Sequence, residues 1–370
     1  MTKLTTENVK EIKQGYITGF FDAEGNIDIK KDYILSVLIN QTHKEVLERI
    51  NKKFKMPSGI QIHSKEGYDK NGYHHKDAWR WRLFSNDAIS FLKYIQIYSI
   101  EKRPQIELAI KYQETMTSHK NSRSGGMFRL SQTEIEQREW FKKEINDLKY
   151  IKTDEQSLRN HNNEIKKLSI PKDIRDGKQT TLISLDEMYK YKGIDIIEEP
   201  TENTKLSIMT NYIETGYISG FFDGEGYIGI SKGKRNDYTL RIAISNSNFN
   251  MLKLYETKFG GNIRHTKKQG ENYKELYQWG IDHNNALPFL KYIQNWTVVK
   301  RRQVDIAIEF QEWHNSIKII RTDEDKKKAE RYYTLLKELK KETGEFNDIT
   351  EEPEQNITIN KIISFDTMNT

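Results

Sequence analysis

The chain is expected to fold as an α+β protein built from two tandem copies of one module. Three observations predict this. A segment near the N-terminus returns in the second half, the apolar periodicity inside each copy switches between helix and strand spacing in one fixed order, and 370 residues suit two domains of ordinary size.

The repeat comes first because it organises everything else. Gly15-Tyr16-Ile17-Thr18-Gly19-Phe20-Phe21-Asp22-Ala23-Glu24-Gly25 returns as Gly216-Tyr217-Ile218-Ser219-Gly220-Phe221-Phe222-Asp223-Gly224-Glu225-Gly226, with changes only at Thr18/Ser219 and Ala23/Gly224. Phe91–Gln96 returns as Phe289–Gln294, and Lys102-Arg103-Pro104-Gln105 as Lys300-Arg301-Arg302-Gln303. Even the segment tails echo, Ile183-Ser184-Leu185-Asp186 with Met188 matching Ile363-Ser364-Phe365-Asp366 with Met368. The expected layout is a first module over 1–120, a charged helical extension and linker over 121–208, a second module over 209–318 and a C-terminal helical extension over 319–370.

Within the first copy the elements follow in order. Residues 8–24 are apolar at helical spacing, and then Ile27 and Ile29, and Leu35, Val37 and Ile39, alternate with polar neighbours as two strands. A helix from Thr42 through Val46, Leu47 and Ile50 to Phe54 is stopped by Met56-Pro57-Ser58-Gly59. Strands over 60–65 and 78–84 are joined by a polar, glycine-containing hairpin, and helices over 86–97 and 103–117 complete the unit. The second copy runs from 213 to 316. Between the copies, Ser131-Gln132-Thr133-Glu134 is a capping box that opens one helix in the polar stretch 118–208.

Composition excludes several functions. With no cysteine there is no disulfide framework, thiolate zinc site, iron–sulfur cluster or cysteine nucleophile, so any metal must be bound by oxygen or imidazole. No apolar run reaches membrane-spanning length and the first residues lack a secretory core, so a soluble intracellular protein is expected, with no membrane partner and no fixed compartment. The net charge of +6 leans toward an anionic partner, but only its distribution over the surface can decide that.

Gly15, Gly19 and Ala23 stand four apart, as do Gly216, Gly220 and Gly224, so each helix carries the smallest residues along one face. Interior glycine costs about 1 kcal/mol relative to alanine, which close packing against another backbone can offset. The natural partner is the other copy. Packing the two helices through Gly15, Gly19, Gly216 and Gly220 brings Glu24 and Glu225 together near a pseudo-twofold axis. Two acids in one small volume need cations, and Mg²⁺ or Mn²⁺ suits oxygen ligands. Against this stands the simpler possibility that the glycines only pack helices and the acids are solvated.

Ile17–Gly25 and Ile218–Gly226 resemble two copies of the motif that names the LAGLIDADG homing endonucleases, and the order of elements is similar to that family's αββαββα unit. The resemblance covers residues 8–117 and 210–316. It implies two modules related by a pseudo-twofold axis, forming a β-saddle over DNA. It further implies metal ligation by Glu24 and Glu225, aided by the backbone carbonyls of Ala23 and Gly224, and a structural role for Asp22 and Asp223. Lys102 and Lys300 match its basic residues that steady phosphate or polarise water, although a solvated helix-start lysine reads the same. Gln41 and Asn246 match the polar residue that orders water, and their difference implies unequal cleavage of the two strands.

On the sheets, alternation leaves polar side chains outward. In the first copy these are Asn26, Asp28, Lys30, Ser36, Leu38, Asn40, Gln61, His63, Lys65, Arg80 and Arg82. In the second they are Tyr227, Ser231, Thr239, Arg241, Ser245, Asn262, Arg264, Thr266, Lys268, Tyr273 and Gln278. Such residues can hydrogen-bond base edges in a major groove, although an ordinary solvated sheet face is also polar. Because the two sets differ, the target should be a long asymmetric duplex.

The preferred reading is a monomeric, metal-dependent endodeoxyribonuclease of the intron-homing kind, leaving short 3′ overhangs. An intron RNA maturase and a catalytically silent DNA binder on the same scaffold are the alternatives. An intein origin is not expected, given Met1 and a terminal Met368-Asn369-Thr370 without a splicing His-Asn pair.

Overall fold

The motif helices form the centre of the molecule. The structure, a computed structural model, describes residues 4–54, 59–68, 74–121, 130–149, 211–233, 237–266, 275–317 and 322–340. Helix α1 (Thr6–Glu24) opens on a capping box in which the Thr5 hydroxyl accepts the Asn8 N–H at 3.2 Å. The strands β1 (Gly25–Ile29) and β2 (Leu35–Gln41) follow, then α2 (Lys44–Phe54), β3 (Ile60–Ser64), β4 (Gly67–Tyr68), β5 (His74–His75), β6 (Ala78–Phe84), α3 (Ser85–Ile95) and α4 (Arg103–Asn121). Strands β1, β2, β6 and β3 make one antiparallel sheet in that order, and the small β4–β5 ladder extends the hairpin that sequence alone leaves as a loop.

The second copy repeats the plan. Helix α6 (Asn211–Glu225) leads into β7 (Gly226–Lys232), β8 (Tyr238–Asn246), α7 (Phe249–Phe259), β9 (Asn262–Thr266), β10 (Leu276–Asp282), α8 (Ala286–Ile293) and α9 (Arg301–Ile317). Its sheet has the order β7-β8-β10-β9, the same topology. The expected alternation holds in the register: Ile27 lies beside Val37, which lies beside Leu83, and Ile228 beside Ile242, which lies beside Ile281, all buried under the helices. Matching aromatic pairs fill the two cores, Phe21 edge-on to Phe91 at 5.1 Å and Phe222 edge-on to Phe289 at 4.9 Å. Burying each such ring contributes roughly 1.5–3 kcal/mol.

Two further helices alter the expected layout. Helix α5 (Gln132–Leu148) has the predicted capping box, with Glu134 accepting the Ser131 N–H at 2.8 Å. It packs across β1 and buries Phe141 and Ile145 in the first core, so it belongs to that module rather than standing apart as linker. Helix α10 (Asp323–Leu339) does the same across β7 with Ala329, Tyr332 and Leu336. The amphipathic spacing of each finds its apolar partner at the exposed edge of a sheet. The remainder of the expected linker and the repeated tails at 183–188 and 363–368 lie outside the described residues. No helix among the described residues is long and apolar enough to cross a membrane.

The seam between modules is α1 against α6, in main-chain contact. A Cβ placed on Gly15 or Gly19 would strike the carbonyl oxygen of Ile213 or Tyr217, and one on Gly216 or Gly220 that of Ile12 or Tyr16. This is the close approach that the glycine ladder predicts, and only residues without a side chain permit it.

Candidate active site and nucleic-acid interface

At the C-terminal ends of α1 and α6 the chain concentrates its ionisable groups. A Cβ on Gly224 would meet the Ala23 methyl and the Cγ of Glu24, so the two helix ends lie side by side. Burial raises the Glu24 carboxyl above its ordinary value, opposed by the positive fields of Lys300 and Lys102. Burial also raises that of Glu225, reinforced by repulsion from Glu24 and opposed by the same two lysines. The glutamates and lysines singled out by sequence therefore share one electrostatic neighbourhood.

Each lysine is held by the opposite end of its own module. The Lys102 ammonium donates to the carbonyl of Asp22, and the Lys300 ammonium to the carbonyls of Asp223 and Gly224. Burial lowers the Lys300 pKa despite the attraction of Asp223, Glu24 and Glu225. These bonds draw the loops before α4 and α9 over the helix ends. Asp22 and Asp223 hold those loops from below. Asp22 accepts the Ser99 hydroxyl at 2.6 Å and the N–H groups of Ile100, Glu101 and Lys102 at 2.7, 3.1 and 3.3 Å. Asp223 accepts the N–H groups of Val298, Val299 and Lys300 at 2.5, 3.1 and 3.0 Å. Each carboxylate also receives a phenol from the other module, Tyr217 on Asp22 at 2.6 Å and Tyr16 on Asp223 at 2.7 Å.

The polar residues ending β2 and β8 behave differently. Gln41 turns its amide nitrogen toward Glu24 at 3.5 Å, while its oxygen accepts the Thr42 N–H at 2.8 Å. Asn246 is one methylene shorter and points its nitrogen to Glu101 at 3.0 Å, with its oxygen on the Asn248 N–H at 2.6 Å. Two residues near the site escape sequence reasoning. Glu101, whose carboxyl is pushed up to about 7, foremost by burial, replaces a valine at the matching position, Val299. His43 stands where the second copy has the helix-capping Asn248. Burial, then the positive fields of Lys300 and Lys76, hold its imidazole down at about 4. For Glu101 the signal is a mismatch inside an otherwise matched repeat, Lys102-Arg103 against Lys300-Arg301, whereas the stretch around His43 carries no such signal.

The outward sheet residues fall into three groups. Gln61, His63, Lys65, Tyr227, Arg241, Asn262, Arg264, Thr266 and Gln278 are exposed, while Asn26, Asp28, Lys30, Asn40, Arg80, Arg82, Ser231, Thr239 and Ser245 are half-buried. Ser36 and Leu38 are buried, contrary to the expectation that they face solvent. Both lie on a central strand, paired on each side, Leu38 in register between Asn26 and Arg82 and Ser36 between Asp28 and Phe84. Lys268 and Tyr273 lie outside the described residues. Some outward groups are already paired with one another: Arg80 donates to Asn40 at 2.7 Å and meets His63 at 2.8 Å, Lys30 pairs with Asp28 at 2.6 Å, and Gln278 donates to Ser245 at 3.1 Å. The Arg82 guanidinium lies over the Phe84 ring at 5.7 Å. Helices α5 and α10 bring their terminal lysines to this region, Lys149 within the field of Asp28 and Lys30, and Lys340 at 3.8 Å over the Tyr227 ring.

Comparison with known proteins agrees with this geometry. A family profile described as LAGLIDADG-like domain matches residues 11–99, and one described as LAGLIDADG endonuclease matches residues 218–315. No curated protein matches the chain by sequence. Among solved structures, the LAGLIDADG homing endonuclease I-GzeII in complex with its DNA target is 16% identical, with a TM-score of 0.53 over 90% of this chain and 99% of that one. The I-LtrWI LAGLIDADG homing endonuclease bound to target DNA is 14% identical, with a TM-score of 0.53 over 88% and 97%. I-SmaMI bound to uncleaved DNA in the presence of calcium ions is 15% identical, with a TM-score of 0.52 over 87% and 97%. With one profile on each half, tandem αββαββα modules and paired motif helices, the chain belongs to the LAGLIDADG endonuclease family, a family of endodeoxyribonucleases, in its single-chain, double-motif form.

Proposed function

We propose that the chain is a monomeric, site-specific endonuclease that cuts both strands of a long asymmetric DNA duplex, leaving short 3′ overhangs. The observation that carries this reading is the meeting of Glu24 and Glu225, with Lys102 and Lys300, where the two motif helices end. The solved relatives that share the fold hold DNA targets, which supports a duplex on the sheet surface.

The donor set fits a hard divalent cation. Two carboxylates at the helix ends, Glu24 half-buried and Glu225 more open to solvent, have their pKa values raised by partial desolvation, and in Glu225 also by the other acid, so positive charge placed between them stabilises both. Among the described residues no cluster of three or more His, Asp or Glu surrounds a common point, so backbone carbonyls and water would complete the shell. Glu24, Glu225 and the carbonyls of Ala23 and Gly224 would hold Mg²⁺ or Mn²⁺. Bound there, the ion would neutralise charge at a scissile phosphate and ease deprotonation of water.

The chain's own groups do the rest. Lys102 and Lys300 place ammonium charge beside Glu24 and Glu225, where it can stabilise developing charge on phosphoryl oxygens. Gln41 turns a polar hydrogen toward Glu24, whereas Asn246 acts on its side through Glu101. Arg80, Arg82, Arg241, Arg264, Gln61 and Gln278, with the other accessible outward residues, contact bases and phosphates. The test is selection of cut sites from a randomised duplex library with Mg²⁺, beside the Glu24→Gln, Glu225→Gln double variant. A long asymmetric site cut only by the unmodified chain is the expected result. Equal binding by both proteins without cleavage would overturn the reading and make intron RNA the next ligand to try.

A further inference from the structure

We propose that Glu101 is a positioning residue for the centre at Glu225, standing in for the part that Gln41 takes at Glu24. This rests on the nuclease reading above. The sequence repeat makes Gln41 and Asn246 counterparts, but their side chains differ in length by one methylene, and the structure uses that difference. Gln41 extends far enough to turn its amide nitrogen toward Glu24 of its own module, 3.5 Å away. Asn246 ends β8 at the matching place and turns instead across the seam, donating to Glu101 of the first module at 3.0 Å.

The geometry of that contact is tightly determined. Asn246 is buried, and its oxygen is committed to the Asn248 N–H at 2.6 Å, so its amide cannot flip without losing two bonds. Glu101 is fixed at the other end, because its own N–H is held by Asp22 at 3.1 Å at the root of the loop that carries Lys102. A carboxyl group is thereby anchored at the seam, within the fields of Lys102, Asp22 and Glu225. Among the described residues nothing comparable exists in the other half. The counterpart of Glu101 is Val299, which packs its methyls against the first module's core.

The two centres therefore differ in kind. At Glu24 the local polar group is a neutral amide that reaches the acid itself; at Glu225 it is a carboxylate, oriented by an amide. Once ionised, Glu101 accepts hydrogen bonds only, whereas an amide also donates, so the two sides would then order a nucleophilic water by different faces. One acid placed on one side only makes the cleavage of the two strands unequal.

The experiment is strand-resolved cleavage of the selected target with Mg²⁺, using Glu101→Val, which copies the other half, Glu101→Gln, which keeps an acceptor for Asn246, and Gln41→Ala. Loss of a group that positions another at a metal centre costs about 10-fold or more. Glu101→Val should slow one strand by about that factor and Gln41→Ala the other strand, so the ratio of the two nicking rates moves in opposite directions, while Glu101→Gln lies closer to the unmodified chain than Glu101→Val does. A merely structural role would lower both strands together. Equal slowing of both strands, or an unchanged ratio in Glu101→Val, would overturn the proposal while leaving the nuclease reading intact. Absence of any cleavage by the unmodified chain would overturn both.

Discussion

The phenol of Tyr16 donates a 2.7 Å hydrogen bond to Asp223 in the opposite module, and Tyr217 returns the same bond to Asp22 at 2.6 Å. Both carboxylates are buried and both hold the loop that carries a site lysine. Replacing either tyrosine by phenylalanine removes one donor from a buried carboxylate, and stability should fall by about 1–3 kcal/mol. Urea denaturation of the two single variants checks this. A neutral result in both would mean that the crosswise bonds do not stabilise the seam.

The glycine seam reverses an ordinary rule. In a solvent-facing helix, Gly→Ala stabilises by about 1 kcal/mol. Gly19→Ala and Gly220→Ala should instead destabilise, by about 1–3 kcal/mol or more, because the added methyl meets a main-chain carbonyl of the facing helix that cannot swing aside. The same urea titration gives the sign.

Cation binding has a readout independent of cleavage. Ca²⁺ or Mg²⁺ should stabilise the unmodified chain, seen as a raised thermal midpoint, by a free energy that grows with the logarithm of ion concentration and reaches about 2.7 kcal/mol at 100 times Kd. Glu24→Gln or Glu225→Gln should weaken that response and abolish double-strand cleavage while leaving DNA binding in place. Undiminished stabilisation in both variants would move the ion elsewhere.

Glu101 makes stability depend on pH. Its carboxyl pKa is about 7 in the folded chain against an ordinary 4.5, so between those values the folded state keeps a proton that the unfolded chain has released. Stability from this group therefore falls as pH rises from about 4.5 to about 7. His43 acts in the other sense, because its folded pKa of about 4 lies below the ordinary 6.5, and its contribution rises with pH over that interval. Glu101→Gln should accordingly gain stability relative to the unmodified chain as pH climbs, and the gain should level off above about 7. Denaturation at a series of pH values gives the curve.

On the sheet, Arg82→Ala should weaken binding to one half-site by about 1–3 kcal/mol if its guanidinium reads a guanine. Loss spread evenly over all sequences, with a reduced salt dependence, would make it a phosphate contact.

Much of this was legible in the sequence because the chain states it twice. The matched segments at 15–25 and 216–226 located the motif helices, the seam and the two glutamates, and alternation in β6, β8 and β10 matches the observed burial pattern. What stayed hidden depended on long-range contact. Helix α5 reads as a polar extension until β1 supplies a partner for Phe141 and Ile145. Ser36 and Leu38 have outward parity, but their exposure is decided by neighbours on other strands. Glu101 reads as one more charged residue before a lysine, and its importance depends on Asn246, which lies 145 positions away.

The seam has one more consequence, for how such a chain can change. Its contacts are largely main chain against main chain, with Tyr16, Tyr217, Asp22 and Asp223 as the crosswise fasteners, so they depend on a short vocabulary that both halves share. The sheet faces share no such vocabulary. Joinery and recognition are thus written largely in separate residues, so either half can drift toward a new sequence preference without touching the fasteners, whereas a foreign half would also have to reproduce the unshared bond of Asn246 to Glu101.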